Sequence, residues 1–188
     1  MRVIERKRPR IVMGRPEAAG VSPDRLAQVD RHLCALGAVY DLVAEVQTAN
    51  RASSISAVSL FHRLQPLLRQ MMGTAEVAFE IAEAPLSARQ GCALSLIVTE
   101  LANGAAQHGA EAIRIFLRAD PGRAQLTVET PDRPATGTAP ELRIAESLNR
   151  HYLGGNLRHT LRPQGRRRVQ IAFALDAITE EVDGAWST

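Results

Sequence analysis

The chain has 188 residues, which is enough for one ordinary domain with a small appendage. Its apolar content of 45% fits a packed core, and its aromatic content of 4% leaves Leu, Val, Ile and Ala to build that core. No apolar window approaches the roughly 18 residues of a membrane span, and no apolar stretch follows the charges of MRVIERKRPR, so we expect a cytoplasmic protein without membrane span or secretory signal.

The net charge of +3 is unevenly distributed. Residues 1–15 carry six basic residues against the single acid Glu5, and residues 176–188 carry four acidic residues and no base. A basic arm can bind nucleic acid or an acidic partner. No aromatic residue lies among its arginines to stack on bases, so we do not expect nucleic acid as a partner. We interpret residues 1–21 as a basic flexible tail and residues 176–188 as an acidic tail.

Several classes of site are excluded by missing motifs. The sequence has no C-x-x-C, H-E-x-x-H, G-x-S-x-G or P-loop pattern. The two cysteines, Cys34 and Cys92, lie inside apolar helical patterns. We expect both to be small buried hydrophobic residues in a reducing compartment.

Two amphipathic helices are predicted in the first part of the chain. Apolar residues recur every three or four positions over residues 26–46, and again over residues 55–71 after a break at 50–54. Pro66 is expected to kink or interrupt the second helix. Residues 22–72 thus form a helical hairpin with apolar surface that a partner chain could cover.

The periodicity changes at Gly73. The elements predicted after it are, in chain order, a strand at 77–81, a helix at 86–108, strands at 113–117 and 126–128, a loop at 130–140, a helix at 142–152, and strands at 156–161 and 169–175. The residues from Pro163 to Arg168, including Arg166 and Arg167, are assigned to the turn between the last two strands. Helices and antiparallel strands that share one core indicate an α+β fold, a two-layer α/β sandwich over residues 73–175.

The most informative segment is a polar edge on the helix at 86–108. Glu100, Asn103 and Gln107 are spaced i, i+3 and i+7, so they share one face, whereas apolar residues take the other. A cleft for a metal-bound triphosphate would explain this edge, because an amide oxygen is a hard ligand for Mg²⁺ and a nearby Glu can orient a water or hydroxyl. A solvent-facing helix edge is the alternative.

The stretch L-I-V-T-E-L-A-N-G-A-A-Q-H-G resembles the N box of the GHKL superfamily of ATPases, whose histidine-kinase form reads roughly E-L-x-x-N-A-x-x-H. We match Glu100, Leu101, Asn103 and His108 to this motif, with Gly104 where Ala is usual.

The surrounding sequence agrees with this resemblance. Residues 31–43 are similar to the second dimerisation helix of HWE-like histidine kinases, R-x-x-A-L-x-x-V-H-x-L-L. Residues 142–155 resemble the helix and Gly-Gly that follow the second glycine box. The resemblance covers residues 24–175 and implies a GHKL-type ATPase sandwich preceded by a dimerisation hairpin.

The resemblance also implies roles for individual residues. Glu100 would be catalytic, Asn103 would ligate Mg²⁺, and His108 would line the phosphate region beside Gln107. Thr130 takes the position of the Asp that receives the adenine amino group. ATP and Mg²⁺ would be the cofactors of a functional site. His32 is the candidate phosphoacceptor on a recast hairpin.

Three parts of the family pattern are missing. The first glycine box, D-x-G-x-G, is replaced by E-T-P-D-R-P at 129–134, where two prolines remove amide donors. Glu129 or Asp132 could substitute for the Asp if the loop is shifted. The second box is replaced by T-A-P-E at 138–141, which places an acid where glycines usually cradle phosphate. No E-x-x-H-R-x-x-N acceptor motif precedes Asp24.

We therefore expect a pseudokinase, a kinase-like module that docks a response-regulator receiver domain or another kinase. An active ATP-dependent histidine kinase is the alternative, and an anti-sigma-type serine kinase ranks below both. A homodimer is expected through pairing of hairpins into a four-helix bundle.

Overall fold

The computed structural model describes residues 23–48, 54–131, 140–162 and 165–176. Its elements are, in chain order, α1 (Pro23–Thr48), β1 (Ser54–Ser56), α2 (Ala57–Met72), β2 (Glu76–Ile81), β3 (Pro85–Ser87), α3 (Ala88–Gln107), β4 (Ala112–Asp120), β5 (Arg123–Pro131), α4 (Pro140–Leu148) with a π-helical extension (Asn149–Leu153), β6 (Asn156–Arg162) and β7 (Arg166–Ala174). The fold is α+β, and the predicted two-layer sandwich is confirmed. The predicted loop at 130–140 and both tails lie mostly outside the described residues.

A five-stranded mixed sheet has the order β2-β4-β5-β7-β6. β2 pairs with β4 in parallel, and all other neighbours are antiparallel. A parallel pair needs a long crossover connection, which α3 supplies. One face of the sheet carries the buried side chains of alternating positions, such as Ile113, Ile115 and Leu117 in β4, and the helices pack on that face.

α3 is the central helix and contacts α1, α2 and α4. Ser87 caps its N-terminus in a reciprocal capping box with Gln90. The Gln90 side chain also donates to the carbonyl of Ala174 at 2.8 Å, and Asp176 accepts from Ser87 at 2.6 Å. The start of α3 is thereby tied to the end of β7.

The two N-terminal helices both belong to this core. In α2, Leu60, Phe61, Leu64 and Leu68 are buried, and the ring of Phe61 lies 6.4 Å from that of Phe79 in β2. α1 packs on both α2 and α3. The apolar face of α2 is therefore covered within the chain, and the proposed division between residues 22–72 and 73–175 does not divide the core.

Two short strands were not predicted. β1 pairs with β3 in an antiparallel two-stranded sheet, so Ile55 belongs to a strand and not to the second helix. Ser56 then caps α2 by accepting from the amide of Ser59 at 3.1 Å. Pro66 lies inside α2 without interrupting it.

Two other expectations about surface and interior were wrong. Cys34 is exposed on α1, and Cys92 is half-buried on α3, so the two thiols are not both core residues. Arg166, Arg167 and Arg168 lie in β7, paired with β5 and β6, and not in a turn. No helix in the part of the chain that the structure describes is long and apolar enough to cross a membrane.

Candidate functional site

Glu100 lies in the second half of α3 and is 2% exposed. Two side chains of α1, one helical turn apart, bind its carboxylate. Gln28 Nε2 lies 3.1 Å from each carboxylate oxygen, and His32 Nε2 contacts Oε1. A carboxylate buried to this degree needs such partners, since leaving it unpaired is costly. The carboxylate of Glu100, the residue predicted to be catalytic, is thus engaged by two side chains of α1.

The other residues of the predicted polar edge do not join Glu100. Asn103 is half-buried, whereas Gln107 and His108 are exposed at the C-terminal end of α3. Their side chains make no hydrogen bond within the described ranges. Thr130 lies on β5 opposite Arg167 of β7. The structure therefore brings together Glu100 and His32 among the predicted site residues, and the ligand roles of the others stay predictions.

The spacing of the N box draws attention to Gly104. Its histidine-kinase form places the His eight residues after the Glu, which Glu100 and His108 reproduce. The motif Asn, four residues after the Glu, then falls on Gly104 and not on Asn103, and the motif Ala falls on Ala105. Gly104 shares the face of Glu100, four residues earlier. A Cβ added to Gly104 would lie 2.6 Å from both Cγ and Cδ of Glu141 and 2.8 Å from Oε1. The side chain of Glu141 therefore fills the space that a larger residue at position 104 would need.

Glu141 is held in this space by Arg167. The Nη1 of Arg167 donates to Oε1 of Glu141 at 3.0 Å, and the two side chains are 15% and 7% exposed. Glu141 belongs to the first turn of α4, where the helix dipole favours a negative charge. The Nε and Nη2 atoms of Arg167 are buried without a partner in the described structure. A largely buried ion pair thus joins α4 to β7 beside Gly104.

A second ion pair lies on the opposite face of the sheet. Arg168 Nε donates to Glu129 Oε1 at 2.6 Å across the β5–β7 pair. Glu129 therefore points away from the helical layer, while its neighbour Thr130 shares the face of Arg167. Glu129 does not replace the missing Asp of the first glycine box, and Asp132 lies outside the described residues.

Sequence reasoning missed the combination of Gly104, Glu141 and Arg167. Each departure was visible separately: an acid where glycines are usual, and a glycine inside a polar helix edge. Only the fold shows that the two positions touch and that an arginine from β7 pairs with the acid. Within the described residues, no group of three or more His, Cys, Asp or Glu side chains could hold a metal ion.

Comparisons with known proteins agree on the fold. No family model matches the chain, and no curated protein does. The histidine kinase domain of the Erythrobacter litoralis EL346 blue-light activated histidine kinase is similar, with a TM-score of 0.65, 19% identity, and coverage of 79% of this chain and 75% of that one.

Two further solved structures extend this result. The longer Erythrobacter litoralis EL346 structure has a TM-score of 0.62 and 18% identity over 81% of this chain, and the match spans 59% of that kinase. The ATP binding domain of PrrB from Mycobacterium tuberculosis has a TM-score of 0.56 and 12% identity, over 67% of this chain and 98% of that one. The chain has the fold of histidine-kinase ATPase domains.

Proposed function

We propose that this chain is a cytoplasmic two-component signalling protein, a pseudokinase of the HWE-like type that docks partners and does not use ATP. The kinase-type fold and the resemblance of residues 31–43 and 142–155 support the assignment to two-component signalling. One observation carries the loss of ATP use: the Glu141–Arg167 pair lies against Gly104, where α3 meets the N-terminus of α4.

The residues around Gly104 do not fit Mg-ATP. Glu141 places a carboxylate where phosphate would approach the N-terminus of α4, and like charges repel there. Gly104 offers no side-chain oxygen for a metal, and Glu100 is bound by Gln28 and His32. Asn103 and Gln107 are the amides on this edge, and the role of Asn103 as a Mg²⁺ ligand stays a prediction.

Calorimetry tests the proposal directly. We expect no binding heat when the full chain is titrated with Mg-ATP up to millimolar concentration, and no nucleotide-dependent rise in melting temperature. A micromolar dissociation constant would refute the proposal. Glu141→Gly is the informative variant, because nucleotide binding that appears only in this variant assigns the block to the Glu141 carboxylate.

The proposed partners are a response-regulator receiver domain or another kinase. Support comes from the kinase-type fold, since a module of this fold without nucleotide still offers surfaces to such partners. Biolayer interferometry against receiver domains from the same organism tests this part. A panel without any saturable binder would count against it.

Homodimerisation is proposed through α1. Leu26, Val29, Leu33 and Tyr40 are 58%, 53%, 62% and 67% exposed. With the half-buried Leu36, they are spaced by three and four residues in turn, as in the seam of a coiled coil. Their spacing suits a second copy of the same helix. The interface would be α1 against α1, since the chain itself covers the apolar face of α2.

An active kinase is the second candidate, favoured by one contact. His32 Nε2 touches the Glu100 carboxylate, so the candidate acceptor lies against the candidate catalytic residue. Incubation with labelled ATP distinguishes the two functions. Acid-labile label that disappears in His32→Ala would support the kinase, and absence of label supports the pseudokinase.

A further inference from the structure

One face of the five-stranded sheet is covered by no described helix or strand. The alternation of buried and accessible positions in β4 and β7 defines this open face, and the pairing register shows which residues of β5 share it. In β4 it carries Arg114, Phe116 and Arg118, while Ile115 and Leu117 between them are buried in the core. An antiparallel sheet region with one solvated face is expected to be polar there.

The open face is rich in arginines that have no partner. Five exposed arginines lie on it without an ion pair or side-chain hydrogen bond in the described structure: Arg114, Arg118, Arg123, Arg158 and Arg166. Acidic residues stand at its borders, Glu76 and Glu80 on the edge strand β2 and Asp120 at the β4–β5 hairpin. Glu129 is neutralised by Arg168. The centre of the face therefore attracts anions.

Between these arginines lies one aromatic ring among neutral polar groups. Phe116 pairs with Thr127, Thr127 with Gln170, and Gln170 with Arg158 in one row across four strands. A shallow depression of about 210 Å³ lies here, lined by Phe116, Arg118, Gln125, Thr127, Glu129, Arg168 and Gln170. Along β4 the order on this face is arginine, phenylalanine, arginine.

We propose that the open face binds single-stranded nucleic acid. Guanidinium groups form bidentate hydrogen bonds with phosphate. An aromatic ring between them can stack on a base, and glutamine amides can bind base edges. A sheet surface that combines these groups is an established way to bind unpaired nucleotides. The proposal is independent of Gly104 and Glu141, which belong to the helical side of the sheet.

The central groups favour nucleic acid over an acidic polypeptide. The carboxylates of an acidic polypeptide would bind only the arginines. They would make no favourable contact with the ring of Phe116 or use the amides of Gln125 and Gln170. The basic N-terminal arm lacks an aromatic residue among its arginines, which was the reason for not expecting nucleic acid. On β4, by contrast, the fold places the ring of Phe116 between two other arginines, Arg114 and Arg118.

Fluorescence anisotropy with a labelled 12-nucleotide oligouridine tests the proposal on the full chain at low salt. Each of the variants Arg118→Ala and Arg158→Ala is expected to weaken binding. Each should also make the negative slope of log association constant against log salt concentration shallower by about 0.7. Phe116→Leu is expected to weaken binding about tenfold with an unchanged slope, because stacking is lost while the charges stay.

Matched controls lie in the helical layer. Arg69 and Arg89 are exposed on α2 and α3, so Arg69→Ala and Arg89→Ala remove the same charge away from the open face. The proposal is overturned if these controls weaken binding as much as the sheet variants do. It is also overturned if oligouridine does not bind, or if polyglutamate of equal length competes equally well. Circular dichroism checks that each variant is folded.

Discussion

At the scale of single residues, Gly104 matters because another side chain fills the space where its own side chain would lie. The carboxylate of Glu141 occupies that volume, and Arg167 holds it there. Removing one member of a buried ion pair is much more harmful than replacing both. The three residues are therefore expected to respond to substitution as one group.

A double-mutant cycle measures this dependence. Gly104→Ala is expected to lower the free energy of unfolding by about 1–3 kcal/mol, because the new methyl group overlaps Glu141. The same substitution in a Glu141→Ala background should cost less, with a coupling energy of about 0.5–3 kcal/mol. Urea denaturation of the four proteins gives these values, and additive effects would contradict the contact.

Gly37 supplies the control for this cycle. It lies within α1, and a Cβ added there meets nothing within 4 Å. Gly37→Ala is expected to stabilise the protein by about 0.4–1 kcal/mol, because alanine favours the helix. The two glycine substitutions should therefore change stability in opposite directions.

The two thiols are predicted to differ in reactivity. Burial raises the pKa of Cys92 above its usual value of 9.0, since the thiolate is poorly solvated there. Cys34 is exposed. Iodoacetamide at pH 8 should modify Cys34 first, as mass spectrometry of the peptides can show.

The raised pKa of Cys92 also predicts a dependence of stability on pH. As pH rises through 9.0, the Cys92 thiol ionises in the unfolded chain before it ionises in the folded protein, so the free energy of unfolding should fall.

At the scale of elements, α1 is fastened to α3 by polar contacts as well as by packing. His32→Ala leaves the buried Glu100 carboxylate with Gln28 as its partner, and we expect a loss of about 1–3 kcal/mol. In the His32→Ala variant, amide hydrogen exchange should be accelerated more in α1 than in α3. His62 is exposed on α2, so His62→Ala serves as the control, and an equal effect of both variants would contradict the role of His32.

The order of the main elements was predictable, because alternation and helical periodicity are local signals. α3, the strands of the large sheet and the helix at Pro140–Leu148 follow from them. β1 and β3 have three residues each, too few for a period to appear. The apolar periodicity of α1 could not predict which of its apolar residues are buried within the chain. Leu33 is exposed, whereas Val39, which belongs to the same periodic pattern, is buried.

The candidate site was predictable only in part for a related reason. The sequence singles out Glu100 through the polar edge of its helix and the resemblance to the N box. It marks His32 only as a candidate phosphoacceptor, and the contact between the two residues was not predicted. The ion pair of Glu141 and Arg167 joins positions 26 residues apart, and no local pattern connects them. Arg167 was assigned to a turn, since proline, glycine and arginines suggest one.

At the scale of the whole molecule, the exposed stripe of α1 predicts a concentration-dependent dimer. Leu33→Glu should shift sedimentation velocity profiles to monomer, because a charge in a coiled-coil seam is strongly unfavourable. Ala27→Glu changes an exposed residue of the same helix outside the stripe, and it should leave the dimer intact. A chain that stays monomeric at high concentration would rule out this interface.

The position of β7 in the sheet bears on how the protein is made in the cell. This strand is the last of the described strands to be synthesised, yet it lies between β5 and β6 and receives a bond from the first turn of α3. Until it emerges from the ribosome, both neighbouring strands have open edges that can pair with other chains. Premature termination before Arg166 should therefore yield insoluble product, and translation of this stretch is the step at which chaperones are most needed.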